Sequence, residues 1–214
     1  MEPRRFASKK RYVAAIVIGT LAFLLVFGIS YSLSYIELQR VSNLQTGIGY
    51  DIFKDKLEYS FFDEPVCGAT PLEKVSQDLG FQGRIIDDLE KKLGKHYEGV
   101  LARKKFYTLV ELEHLEFVNI LNERCDGNVN TILFFYSNNE SKLDDSEEAG
   151  RILGVVSARN ENLMVYSFDV DLVSDIIEKL KKKYNITDSP VAVINEQVQV
   201  KLPANIQEIE RHLR

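Results

Sequence analysis

The stretch "NTILFFYSNNESKLDDSEEAGRILGVVSARNENLMVYSFDV", residues 130–170, decides the fold class. Its head, "NTILFFYS" (130–137), is a β-branched and aromatic run of strand length. Asp144 to about Arg159 then reads as a helix carrying Ile152, Leu153, Val155 and Val156, and "NLMVYSFDV" (162–170) reads as a second strand. A strand, a helix and a strand in succession predict a parallel pair joined by a crossover. Downstream, "LVSDIIEKLKKKY" (172–184) is an amphipathic helix, "PVAVIN" (190–195) and "QVQVKL" (197–202) are strands, and "NIQEIERHL" closes on a helix. The short "NEQ" link predicts an antiparallel hairpin between the last two strands. The order is β-α-β-α-β-β-α, an α/β domain placed at 126–214.

Upstream the period changes to that of helices. Leu72, Val75, Leu79, Ile86, Leu89 and Leu93 recur at helical spacing, as do Val100, Tyr107, Val110, Phe117 and Leu121. Gly94 separates the two sets, so the expectation is a helical hairpin turning at "GKH" (94–96), with Pro71 an early residue of its first helix. Gly80 and Gly83 predict a kink or irregularity in that helix. Residues 37 to about 62 read as a helical stalk with a loose stripe of Leu38, Leu44, Ile48, Ile52 and Leu57. Stalk and hairpin together occupy 37–125.

The first 40 residues set the class of protein. From Tyr12 to Ile36 there are 25 consecutive uncharged residues, which as a helix outreach a hydrocarbon core of about 30 Å. Arg4, Arg5, Lys9, Lys10 and Arg11 precede them against one acid, Glu2, whereas the following segment mixes signs. The charge rule therefore predicts a cytoplasmic tail (1–11), a single span through the lipid bilayer (12–36) and an extracytoplasmic remainder, in the cell membrane. A cleaved signal peptide has a shorter apolar core and a small-residue cleavage site, neither of which fits. The net charge of −5 gives no reason to expect nucleic acid.

Two cysteines, Cys67 and Cys125, are too far apart for a metal or redox CxxC motif. Each lies 29 residues from His96, so an antiparallel hairpin centred there brings them to the same end. A disulfide matches the oxidising side of a membrane; the alternative is a pair of inert buried thiols.

The element order, with an aromatic strand ending at a helix start and "YNITDSPVAVINEQ" introducing the third strand, resembles the thioredoxin fold over residues 130–214. The resemblance matches Pro190 to the family's cis proline and puts the family's reactive cysteines at about Asn139 to Leu143, where neither stands. Redox activity is therefore not implied. Ser141 with Asp144 three residues on instead fits a helix capping box, and Asp171 fits an N-cap of the next helix. The resemblance also implies a peptide-binding edge formed by Ser189 and Pro190 with Tyr136, Asn138, Asn139, Glu140 and Ser141 opposite. Against it stands the plainer role of Pro190 as the turn into a buried strand.

Sequons at Asn139 and Asn185 would accept glycans in a glycosylating compartment. Asp144, Asp145, Glu147 and Glu148 read as a solvated first helical turn, and His114, on an apolar stripe, as a packed side chain; no metal or cofactor is implied. No Ser-His-Asp set, phosphate loop or HExxH occurs, and no small-molecule substrate is evident. The expected function is non-catalytic: extracytoplasmic protein binding, or an accessory subunit of a membrane complex, with a protein partner or a second copy on the hairpin. The alternatives are thiol-disulfide exchange by the Cys67/Cys125 pair, and an accessory role in oligosaccharide transfer.

Overall fold

The computed structural model describes residues 9–62, 69–125, 127–201, 203 and 205–213. The chain forms two units, Met1–Asn43 and Leu44–Arg214. Helix α1 runs over Lys9–Phe62. Its first part, Lys9–Leu33, has a mean hydropathy of 2.6 over 25 residues, and the apolar side chains there, Ile16, Leu25 and Phe27 among them, are exposed on all faces. Among the described residues this is the one helix long and apolar enough to cross a membrane. The Ser32 hydroxyl donates to the Gly28 carbonyl at 2.9 Å, satisfying within the helix a group that lipid could not. The side chains of Leu38, Leu44, Ile48, Ile52 and Leu57, and of Leu72 further on, lie outside the described residues.

The second unit is a mixed α/β arrangement. Helices α2 (Ala69–Leu93) and α3 (Glu98–Arg124) form the expected hairpin, turning at Gly94, whose φ of +94° a side chain would resist. Helix α2 is continuous through Gly80 and Gly83, so the expected irregularity does not interrupt its helical hydrogen bonding. Packing accounts for Gly83, because a Cβ there would meet the Tyr107 hydroxyl of α3 at 2.9 Å. Then follow β1 (Asn130–Tyr136), α4 (Leu143–Arg159), β2 (Leu163–Asp169), α5 (Asp175–Lys183), β3 (Val191–Ile194), β4 (Val198–Lys201) and α6 (Ile206–Glu210). The sheet order is β2-β1-β3-β4, with β1 parallel to β2 and antiparallel to β3, and β3 antiparallel to β4.

Strand β1 is buried on both faces, which is why it reads as an unbroken apolar run rather than an alternation. Ile132 and Phe134, with Ala192 and Ile194 of β3, face Leu153 and Val156 of α4 and Ile209 of α6. Leu133 and Phe135, with Val191 and Val193, face Val75 and Leu79 of α2, Val110 and Leu115 of α3 and Ile177 of α5. Hairpin and sheet thus share one core. Two helices alone bury too little apolar surface to be stable; here the sheet supplies the remainder.

The β3–β4 turn carries positive φ at Asn195 (49°) and Glu196 (56°), the geometry of a tight hairpin turn. Glutamate has no preference for that region. Its carboxylate is held there by Asn119 Nδ2 at 2.7 Å, Lys183 Nζ at 2.8 Å and the Tyr184 hydroxyl, which ties α3 and α5 to the sheet.

Candidate functional site

The parallel strands β1 and β2 end at Tyr136 and Asp169, and the chain leaves β1 through Ser137, Asn138 and Asn139 into α4. The carboxyl ends of parallel strands are where α/β sheets leave crevices. A cavity of about 650 Å³ opens here, floored by both strand ends and walled by α2, α3 and one face of α4.

Lys104 of α3 is the deepest charge in it. Its Nζ lies 2.6 Å from Glu90 Oε1 and 2.5 Å from Asp169 Oδ2, and all three side chains are under a tenth exposed. Burial works against the charge on Lys104, but the Tyr136 hydroxyl, Asp169 and Glu90 outweigh it and hold the amine's pKa above the ordinary lysine range. The same ammonium sits 5.4 Å from the centre of the Tyr136 ring. Burial raises the pKa of the Tyr136 phenol, against the opposing pull of the Lys104 ammonium hydrogen-bonded to it, so the hydroxyl stays neutral. Asp169 also accepts from Asn138 Nδ2 at 2.8 Å and from the Asp171 amide at 2.9 Å, while Lys95 reaches Asn138 Oδ1 at 2.9 Å.

Asp171 performs a different task from the one expected. Helix α5 begins at Asp175 behind Ser174, and Asp171 lies outside it. The Asp171 carboxylate turns across to the β1–α4 corner instead, accepting from Ser137 Oγ (2.6 Å), the Asn138 amide (2.8 Å) and the Asn139 amide (3.1 Å). The expected capping box is also absent. Helix α4 starts behind Lys142, which makes no side-chain cap, and both the amide and the hydroxyl of Ser141 turn back to Asn139 Oδ1. Local hydrogen bonding within an Asx turn has displaced the cap by one residue.

The residues of the expected peptide-binding edge divide into three groups. Tyr136 and Asn138 line the cavity, whereas Asn139, Glu140 and Ser141 are exposed in the turn. Ser189 and Pro190, joined by a cis peptide, are buried at the head of β3 and do not line it. A Lys142–Asp188 ion pair of 3.1 Å links the start of α4 to their turn. Both sequon asparagines, Asn139 and Asn185, are exposed. Cys125 caps α3, its amide donating to the Leu121 carbonyl at 2.9 Å, and Cys67 lies outside the described residues.

A second buried polar cluster lies two turns along α3. His114 bonds to the Tyr166 hydroxyl through Nδ1 (2.8 Å) and to Ser76 Oγ through Nε2 (3.1 Å), and burial lowers its pKa to about 4, keeping it neutral. Glu111 accepts the Ser167 amide of the outermost strand β2 at 2.8 Å; its other oxygen has no partner, and burial raises its pKa well above the usual range. His114 is therefore a packed side chain, as its place on the stripe predicts. Among the described residues no group of three His, Cys, Asp or Glu side chains could hold a metal.

Sequence reasoning missed Lys104, Glu90 and Glu111. The signal was present: Lys104 stands four residues after Val100 and three before Tyr107, and Glu111 four after Tyr107, so both interrupt an apolar stripe with charge. Compared with known protein families, curated proteins and solved structures, the chain matches none.

Proposed function

We propose that this is a membrane-anchored, redox-inactive protein of thioredoxin-like architecture that works by binding protein outside the cytoplasm, on its own or as an accessory subunit of a membrane complex. The observation that carries the reading is the β1–α4 corner. In a thiol oxidoreductase of this architecture, amides at a helix start favour a thiolate. Here no cysteine is present, and the corner's Asn138 and Asn139 amides are already turned onto the chain's own Asp171 carboxylate. The sheet order β2-β1-β3-β4, with one parallel pair and two antiparallel pairs, supports the architecture. The apolar helix supports the anchor, and the basic residues before it support a cytoplasmic N-terminus.

A Cys67–Cys125 bridge belongs to this reading, and the absence of a free cysteine among the described residues supports it. In the loop-entropy picture such a bridge stabilises by about 4 kcal/mol. The test is non-reducing peptide mapping of protein from native membranes, with thiols alkylated before lysis. The expected result is a quantitative Cys67–Cys125 crosslink that resists mild reductant. Two alkylated thiols would remove the extracytoplasmic placement, and a crosslink that opens readily would point to thiol exchange.

A further inference from the structure

We propose that the cavity at the ends of β1 and β2 is a binding site for the carboxylate of a peptide, engaged by Arg84 and Arg151. The proposal rests on the protein-binding reading only in taking the ligand to be a peptide.

The cavity is lined by five cationic groups and four carboxylates. Most are matched: Lys104 to Glu90 and Asp169, Lys91 to Asp87 at 2.6 Å, and Lys95 to Glu147 at 3.9 Å. Two are not. Arg84 on α2 rests over the Phe81 ring at 5.8 Å and Arg151 lies on the facing wall α4; among the described residues neither has a carboxylate partner. The lining carries one positive charge in excess, which a singly charged anion balances and a phosphate dianion would overshoot. Guanidinium groups stay charged at any relevant pH and present a planar fork that fits a carboxylate's two oxygens.

The walls are built to admit such a group. Each arginine follows a glycine, Gly83 and Gly150, and both glycines line the cavity. A glycine in a helix wall leaves space where any other residue would project a side chain. Packing requires Gly83, which faces the Tyr107 hydroxyl, but not Gly150, whose added Cβ would sit 3.6 Å from Phe134 in ordinary contact. Leaving Gly150 bare keeps the wall beside Arg151 open. The volume is that of a ligand pocket, and the rings of Tyr107, Phe134 and Tyr136 give the flanking peptide apolar surface.

The test uses the full chain in lipid nanodiscs, challenged with two random hexapeptide mixtures, one with free C-termini and one amidated, and retained peptides are identified by mass spectrometry. The expected result is retention of carboxylate-bearing peptides. Preference for the free-acid mixture would assign the terminus as the source; enrichment of Asp and Glu in both mixtures would assign the side chain. Each of Arg84→Gln and Arg151→Gln should weaken retention roughly tenfold, the loss of one charged hydrogen-bonding group, with an unchanged melting temperature. Retention in the double variant, retention blind to the carboxylate, or no retained peptide from either mixture would overturn the site. None of these three would touch the protein-binding reading, which stands or falls on the corner and on the thiol mapping.

Discussion

Two polar clusters lie on the inner face of α3, seven residues apart, and they are kept in opposite ways. Around Glu111 and His114 there is no access to solvent, and burial holds the acid protonated and the imidazole deprotonated, so the cluster is neutral. Around Lys104 the charges persist, because two carboxylates converge on one ammonium within 2.6 Å at the wall of a cavity. One helix face therefore carries both solutions to the cost of burying an ionisable group: removing the charge, or pairing it. The neutral cluster seals the outer edge of β2, where Glu111 takes the Ser167 amide; the charged one shapes a site.

The comparison predicts its own largest perturbation. Lys104→Met leaves Glu90 and Asp169 buried without a counter-charge, and breaking one partner of a buried ion set costs about 3–5 kcal/mol. Urea denaturation should show this as a shift of the midpoint. Adding Glu90→Gln and Asp169→Asn should restore most of the loss, because no charge is then stranded. A loss under about 1 kcal/mol in the single variant would mean that the cavity hydrates these carboxylates as a surface does, and the contrast with the neutral cluster would collapse.

The neutral cluster is probed by pH. The folded-state pKa of His114 is depressed from 6.5 to about 4, so the unfolded chain takes up this proton first as the pH falls. Stability from His114 is therefore intact above pH 6.5 and is lost between there and pH 4, by about 3 kcal/mol in total. Glu111 has the opposite sign: its raised pKa contributes stability below 4.5, lost as the pH rises toward its folded value. The difference in unfolding free energy between the wild type and His114→Asn, measured across that window, isolates the histidine. Parallel curves for the two proteins would show that the imidazole takes up its proton as readily in the fold as in the unfolded chain, and the contrast would fail.

Most of the architecture was legible because it is written in periodicity. β1 was recognisable from "NTILFFYS", the hairpin from two apolar stripes parted by Gly94, and the antiparallel β3–β4 pair from a link too short for anything else. The apolar helix needed only its length. The site was less legible, since its residues come from α2, α3, α4, β1 and β2 and meet only through tertiary packing. Pattern assigns a polar residue to its nearest helix end, which is why Asp171 and Ser141 read as caps in the sequence. What decides between a cap and a cross-link is the distance to donors elsewhere in the fold, and nothing in the neighbouring sequence encodes that. Lys104 and Glu111 are the exception, because each stands in the sequence as a charge on an apolar helical stripe, a position that burial makes costly unless the charge is paired or removed.

Asp171 supplies the smallest effect and the sharpest discrimination between the corner and the clusters beneath it. Unlike Glu90 and Asp169, it is solvent-exposed, yet its Oδ2 gathers three donors from Ser137, Asn138 and Asn139. Asp171→Asn keeps the shape and one acceptor oxygen but removes the charge, so the three bonds weaken without being lost. With solvent screening the expected cost is about 1 kcal/mol or less. The local consequence should exceed the global one: amide hydrogen exchange at Asn138 and Asn139 should accelerate while the α3 interior around His114 keeps its protection, because the carboxylate secures the turn and not the core. Uniform acceleration through both regions would show instead that the corner and the core open together, and that Asp171 helps hold the whole sheet end rather than the one turn it touches.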